Sequence, residues 1–96
     1  MNVIKFNNTE FPVTSYNRTT NFYNDGITSN GYAALETDNM AALNALAETP
    51  ITSIEIFHDN TKIYDTGTIN AHIDNINESM GEDQMYVNVS MTFIMD

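Results

Sequence analysis

The chain has 96 residues, with 13 acidic against 3 basic side chains, a formal net charge of −10, 42% hydrophobic residues and no cysteine. That length suits one domain with a single modest core, disulfides are excluded, and no apolar run approaches the ~20 residues of a membrane-spanning helix. Three scattered cations, Lys5, Arg18 and Lys62, cannot build the clustered positive surface that phosphate backbones or anionic membranes require. Direct nucleic-acid binding and membrane association are therefore not expected, whereas a basic protein surface would suit the charge. The start, Met1-Asn2-Val3-Ile4-Lys5-Phe6, lacks the basic, apolar and small-residue succession of a secretory signal, so folding in a cytosol is the expectation.

Residues 2–6, with Val3 and the stiff Ile4, read as a short strand that ends in the turn-forming run Asn7-Asn8-Thr9-Glu10. Residues 11–22 look extended, with Val13, Tyr16 and Phe22 set among Thr, Ser and Asn. Pro12 has no N–H to give a ladder and belongs at that strand's beginning or at an edge. Asn24-Asp25-Gly26 and Ser29-Asn30-Gly31 are turn signals in close succession, which predicts a loop between them. Tyr32-Ala33-Ala34-Leu35-Glu36 then leads into the one predicted helix, about residues 38–48. Thr37 or Asp38 can cap it, and Met40, Leu43, Leu46 and Ala47 share a face. Pro50 prevents continuation. A helix this short must take its stability from packing on a sheet.

From Ile51 the apolar period changes to two. Ile54 and Ile56 share one face, Ile51 and Phe57 take the other, His58-Asp59-Asn60-Thr61 is a turn, and residues 62–65 return as a strand. Ile69, Ala71 and Ile73 alternate as in a strand, although Ile69, Ile73 and Ile76 also fit a helical face; the Asn, Asp and Thr neighbours favour strand. Residues 77–84, with Gly81 and three acids, predict a solvated connection. The last stretch, 85–95, sets Met85, Val87, Val89, Met91, Phe93 and Met95 on one face, with a mostly polar opposite face. At roughly 1.5–3 kcal/mol per fully buried apolar side chain, this segment promises the largest single share of the core. The expected fold is α+β, a predominantly antiparallel β-sheet with one short α-helix packed on it, forming a single domain over residues 1–96.

Chemistry-bearing constellations are sparse. His58-Asp59 and His72-x-Asp74 hold the only 2 histidines, and two ligands at unspecified separation do not make a metal site. Glu78, Glu82 and Asp83 around Gly81 do not follow the spacing of an EF-hand calcium loop. No Ser-His-Asp set, Gly-rich phosphate loop or Walker-type motif is present. No catalytic, cofactor-binding or metal-ligating residues are predicted, and the chain reads as a non-enzyme. Asn-x-Ser/Thr triplets at Asn7, Asn17, Asn77 and Asn88 follow from an Asn- and Thr-rich composition, and without a secretion signal they are not expected to be glycosylated. The aromatic set Phe11, Tyr16, Phe22, Tyr23 and Tyr32 is the candidate partner-binding surface, because such residues are enriched at interface cores. The region 7–31 around it is poor in aliphatic side chains. It is expected to be ordered chiefly by contact with another protein subunit.

Three stretches carry a resemblance. Ile4-Lys5-Phe6-Asn7-Asn8, the run from Leu43-x-x-Leu46 through Pro50-Ile51-Thr52-Ser53-Ile54-Glu55-Ile56, and Met85-Tyr86-Val87-Asn88-Val89-Ser90-Met91-Thr92-Phe93 resemble small proteins encoded among the structural genes of tailed bacteriophages. The likeness brings no functional motif with it. It implies a virion component of the tail or head–tail region, made in the host cytoplasm and packing against other subunits as a homo- or hetero-oligomer. An alternative from another class is an acidic phage-encoded inhibitor of a host defence protein, an anti-CRISPR-like nucleic-acid mimic. Its acids, however, are dispersed from Glu10 to Asp96 and form no runs, which places it second.

Overall fold

The structure, a computed structural model, describes residues 1–95. Among them the elements follow as β1 (Asn2–Phe6), β2 (Thr9–Tyr23), β3 (Gly26–Thr37), α1 (Met40–Ala47), β4 (Ile54–His58), β5 (Thr61–Asp65), β6 (Ala71–Ser79) and β7 (Val87–Met95). Every strand pairing is antiparallel, in the spatial order β5-β4-β1-β2-β3-β7-β6. The expected antiparallel sheet with one short helix is present. Its balance is mainly β, so with a helix of only 8 residues the α+β description is marginal.

The sheet folds over on itself because β2 changes partners. It pairs with β1 from Thr9 to Pro12; past a register irregularity between Val13 and Ser15 it continues alongside β3 as far as Tyr23. Such an irregularity bends a strand and sharpens its twist. Thr14, inside it, donates its hydroxyl to the Ala34 carbonyl at 3.0 Å. Pro12, the last residue paired with β1, stands at the end of that ladder, where a missing N–H is tolerated.

The bend lets the two inner faces meet. Phe6 of β1 lies edge-on to Phe93 of β7 with ring centroids 6.1 Å apart, and Tyr64 of β5 packs on Tyr16 of β2 at 5.1 Å. Across β3, β7 and β6 the register stacks inner residues in rows: Ser29, Met95 and Ala71; then Gly31, Phe93 and Ile73; then Ala33, Met91 and Ile76. In every row a small residue of β3 faces a large one of β7, which lets the core fill without voids.

The expected loop at 26–31 is overturned here. Ser29-Asn30-Gly31 runs straight through β3, and the turn is the two-residue Asn24-Asp25 connection between paired Tyr23 and Gly26. Gly31 is present for a packing reason: a methyl group on it would collide with the ring of Phe93. Residues 32–36, expected to lead into the helix, are also strand, held by β7.

The helix is shorter than 38–48, and neither predicted cap serves. Asn39 Oδ1 accepts the N–H of Ala42 at 3.1 Å, and buried Thr37 accepts the N–H of Asn39 at 2.9 Å. Leu43 and Leu46 are buried, while Ala47, placed with them by periodicity, is exposed. The chain leaving the helix is clamped by Asn7, which sits at φ 57° in the turn after β1. Its side chain donates to the Pro50 carbonyl at 3.1 Å and accepts from the Thr52 N–H and hydroxyl at 2.8 and 3.0 Å.

Two further boundaries differ from expectation. β6 continues to Ser79 through part of the predicted 77–84 connection, while Ile69 precedes it. β7 starts at Val87, where pairing with Thr37 of β3 begins; Met85, assigned to the core by alternation, is 90% exposed. A strand ends where its partners end.

Candidate functional site

The feature that stands apart from the core is the far end of the β2–β3 hairpin. β7 accompanies β3 only from Thr37 to Ser29, so the pairs Asn21↔Thr28, Phe22↔Ile27 and Tyr23↔Gly26 project beyond the sheet as a two-stranded arm. The molecule is correspondingly long, 50 × 28 × 20 Å. Phe22, Ile27 and Tyr23 on this arm are 76%, 63% and 59% exposed. Phe22 and Ile27 continue the inner face, since they keep the alternation of Tyr16 and Ala33. They form one more row of the core, left uncovered.

The outer edge of β2 is also open. Once β1 diverges after Pro12, no strand among the described residues lies beside residues 15–23 on that side. Where the two halves of the folded sheet part, an open cleft of about 370 Å³ is lined by Val13, Thr14, Tyr16, Ile56, Ile63 and Tyr64. Ile63 is 57% exposed. The hydroxyls of Tyr16 and Tyr64 meet at 3.2 Å across it. Burial and then the bond to Tyr64 hold the Tyr16 phenol well above its ordinary ionisation range.

The five aromatic residues predicted to bind a partner are thus divided. Phe22 and Tyr23 lie together on the arm. Tyr16 is half-buried, stacked on Phe93 at 6.2 Å. Tyr32 is half-buried on the outer face, opposite Asn17 and Thr92. Phe11 is 2% exposed, packed on Phe6 at 6.5 Å, and is a core residue with no surface to offer a partner. Ile27 on the arm and Ile63 at the cleft are also exposed and escape the sequence reading. Ile27 is recoverable once Asn24-Asp25 is taken as a two-residue turn, which places it opposite Phe22.

Elsewhere the polar groups occupy one another. His58 Nδ1 meets Asn2 Oδ1 at 2.7 Å and its Nε2 lies 3.3 Å from Asp59. Lys62 bridges Glu55 at 2.6 Å and Asp65 at 3.2 Å; these contacts raise its pKa, the Glu55 bond most. Asp65 is lowered by the Gly67 N–H and then by Lys62. Among the described residues, no group of three or more His, Cys, Asp or Glu side chains could hold a metal ion, and no helix is long and apolar enough to cross a membrane.

Charge is segregated along the long direction. Between residues 11 and 35 the only charged side chains are Arg18 and Asp25, which cancel. At the opposite end of the sheet, where β3, β6 and the connection after β6 finish, Glu36, Asp38, Glu78, Glu82 and Asp83 gather. No protein-family model matches the chain, and no curated protein sequence matches it.

Proposed function

We propose that this chain is a non-enzymatic structural subunit of a tailed-bacteriophage particle, a small component of the tail or head–tail region that works by packing against other subunits. The arm carries the reading: a hairpin that continues the core face beyond the core and leaves Phe22, Tyr23 and Ile27 bare. Each such side chain gains roughly 1.5–3 kcal/mol on full burial, which an isolated chain forgoes and an assembled one recovers. Surface of this kind marks contact with another protein. The likeness of the first strand, the 43–56 stretch and the last strand to phage structural proteins supplies the setting. The expected outcome is that the gene lies among tail or head–tail genes and that mass spectrometry recovers the polypeptide from purified particles. Recovery only from the soluble lysate, with none in particles, would overturn the reading.

A second reading has one observation in its favour, the acidic end opposite the arm. An acid-rich surface suits the basic channel of a nucleic-acid-binding defence protein. Binding to such a protein that fades steeply with salt and is lost on replacing Glu36, Asp38, Glu78, Glu82 and Asp83 by their amides, with the arm intact, would favour it.

A further inference from the structure

We infer that the arm's first partner is a second copy of this chain, joined by antiparallel pairing of β2 with β2 across a two-fold axis at Thr19. The inference rests on the reading of the arm as a packing surface, and is independent of which particle that surface serves.

Among the described strands, β5, β6 and residues 15–23 of β2 present open edges, and the first two are blunted. β5 is short, has a register irregularity at Ile63, and carries ion-paired Lys62 and Asp65. β6 has an irregularity between Ile73 and Asn75 and carries His72, Asp74 and Glu78. Charges and bulges of this sort discourage strand addition. β2 has neither from residue 15 to residue 23, where Arg18 is the only charge.

The occupant follows from charge and symmetry. A second copy also carries −10, so approach at most faces is repulsive. Residues 11–35 sum to zero, so here two copies meet without that repulsion. An edge paired with itself about a two-fold normal to the sheet places residues of equal parity opposite each other, because both copies keep the same face up. The regular edge, residues 15–23, has Thr19 at its midpoint, so pairing along its whole length puts the axis there. Tyr16 then faces Phe22 of the second copy, Asn17 faces Asn21, and Arg18 faces Thr20. Aromatic pairs and Thr–Thr pairs are favourable cross-strand neighbours, and this axis also sets Thr19 against Thr19. An axis at Arg18 would oppose like charges. An axis at Asn17 would run Phe22 of the second copy into Pro12, where β1 already sits. In the Thr19 register each exposed Phe22 comes alongside Tyr16 at the mouth of the cleft lined by Val13, Ile56, Ile63 and Tyr64. One apolar tip and one apolar cleft per copy satisfy each other twice.

Sedimentation velocity over a dilution series from ~1 mM to ~1 µM tests this. The wild type should pass from dimer to monomer. Asn17→Lys, Thr19→Lys and Asn21→Lys together alter only exposed outer-face positions and reduce the net negative charge, yet should leave a monomer throughout. Asn75→Lys with Asn77→Lys on β6 should leave the dimer intact. Phe22→Ser, at the solvent-exposed tip, gives a second route to the monomer should the lysine variant fold poorly by circular dichroism. The chain has no cysteine, so pyrene attached to Thr19→Cys should give excimer fluorescence, and pyrene on Asn44→Cys of the helix should not. A wild type that stays monomeric, or a dimer that survives the β2 lysines or Phe22→Ser and gives no excimer at position 19, would overturn the inference. Neither outcome bears on whether the chain is found in particles.

Discussion

Phe93 is the side chain on which the inner face converges, meeting Phe6, Tyr16 and the backbone of Gly31. Phe93→Ala should cost about 3–5 kcal/mol, a large part of the stability of a small domain. Thr92→Ala, on the opposite face, loses a 2.6 Å hydrogen bond to Asp74 and should cost only ~0.5–1.5 kcal/mol. Comparable urea midpoints for the two would show the face assignment to be wrong. Gly31→Ala should cost ~1–3 kcal/mol by driving a methyl into the ring, and Phe93→Leu should relieve part of that, so the double variant is more stable than the sum of the singles. Strict additivity would mean that the contact does not matter. Tyr16 makes a prediction about alkali. Its folded-state phenol ionises above the ordinary 10.0, so its contribution to stability is complete below that pH and is lost as pH rises beyond it. Absorbance titration should find the Tyr16 phenol un-ionised well above its ordinary range, and Tyr16→Phe should remove that late step. At this scale the alternation in 87–95 is legible because every second residue is apolar. The Gly31–Phe93 contact is not, since Asn-Gly reads locally as a turn and the ring that needs the space comes from a distant strand.

Among elements, the turn after β1 and the start of α1 each depend on one asparagine. Asn7→Ala loses both the left-handed backbone preference and three side-chain hydrogen bonds; it should cost ~1–3 kcal/mol. Asn7→Gly keeps the backbone and isolates the hydrogen bonds, so it should fall between wild type and Asn7→Ala by thermal melting. Asn39→Ala should cost ~1 kcal/mol, and Asp38→Ala much less, since Asn39 is the cap. β1, β4 and β5 are legible from period-two runs bounded by turn residues, and α1 from its apolar face and Pro50. β3 is not, because Tyr32-Ala33-Ala34-Leu35 has no strong local preference and pairing with β7 decides its conformation. The bend in β2 has no local signal beyond Pro12.

At the scale of the molecule, segregated charge and the overhanging arm set the behaviour. A chain at −10 repels itself, so its melting temperature should rise with added salt; a fall would mean that the ion pairs of Lys62 outweigh the repulsion. Hydrogen exchange on the dilute chain should find amides 21–28 the least protected and those of 89–95 the most, because the arm has no third strand among the described residues and β7 lies between β3 and β6. Equal protection would mean that the arm is held by contacts within one chain. Part of the candidate surface is legible in Phe22 and Tyr23. Their isolation from Phe11 is not, since that depends on where β1 and β7 stop. The acidic end is equally hidden, because acids dispersed along the chain meet only when β3 and β6 finish side by side.

The double membership of β2 has a consequence for how a nascent polypeptide acquires its shape. The β2–β3 hairpin closes across a two-residue turn and can form as soon as both halves have left the ribosome. Its two neighbours differ: β1 is made first and pairs locally with residues 9–12, whereas β3 waits for β7, paired from Ser29 to Met95. β7, synthesised after all the other described strands, must then enter between β3 and β6. Distant pairing of this kind slows folding, and for most of synthesis the hairpin stands with the β3 edge and residues 15–23 of β2 bare. A substitution that slows entry of β7 therefore lengthens the time during which nascent hairpins can pair with each other before either sheet is complete.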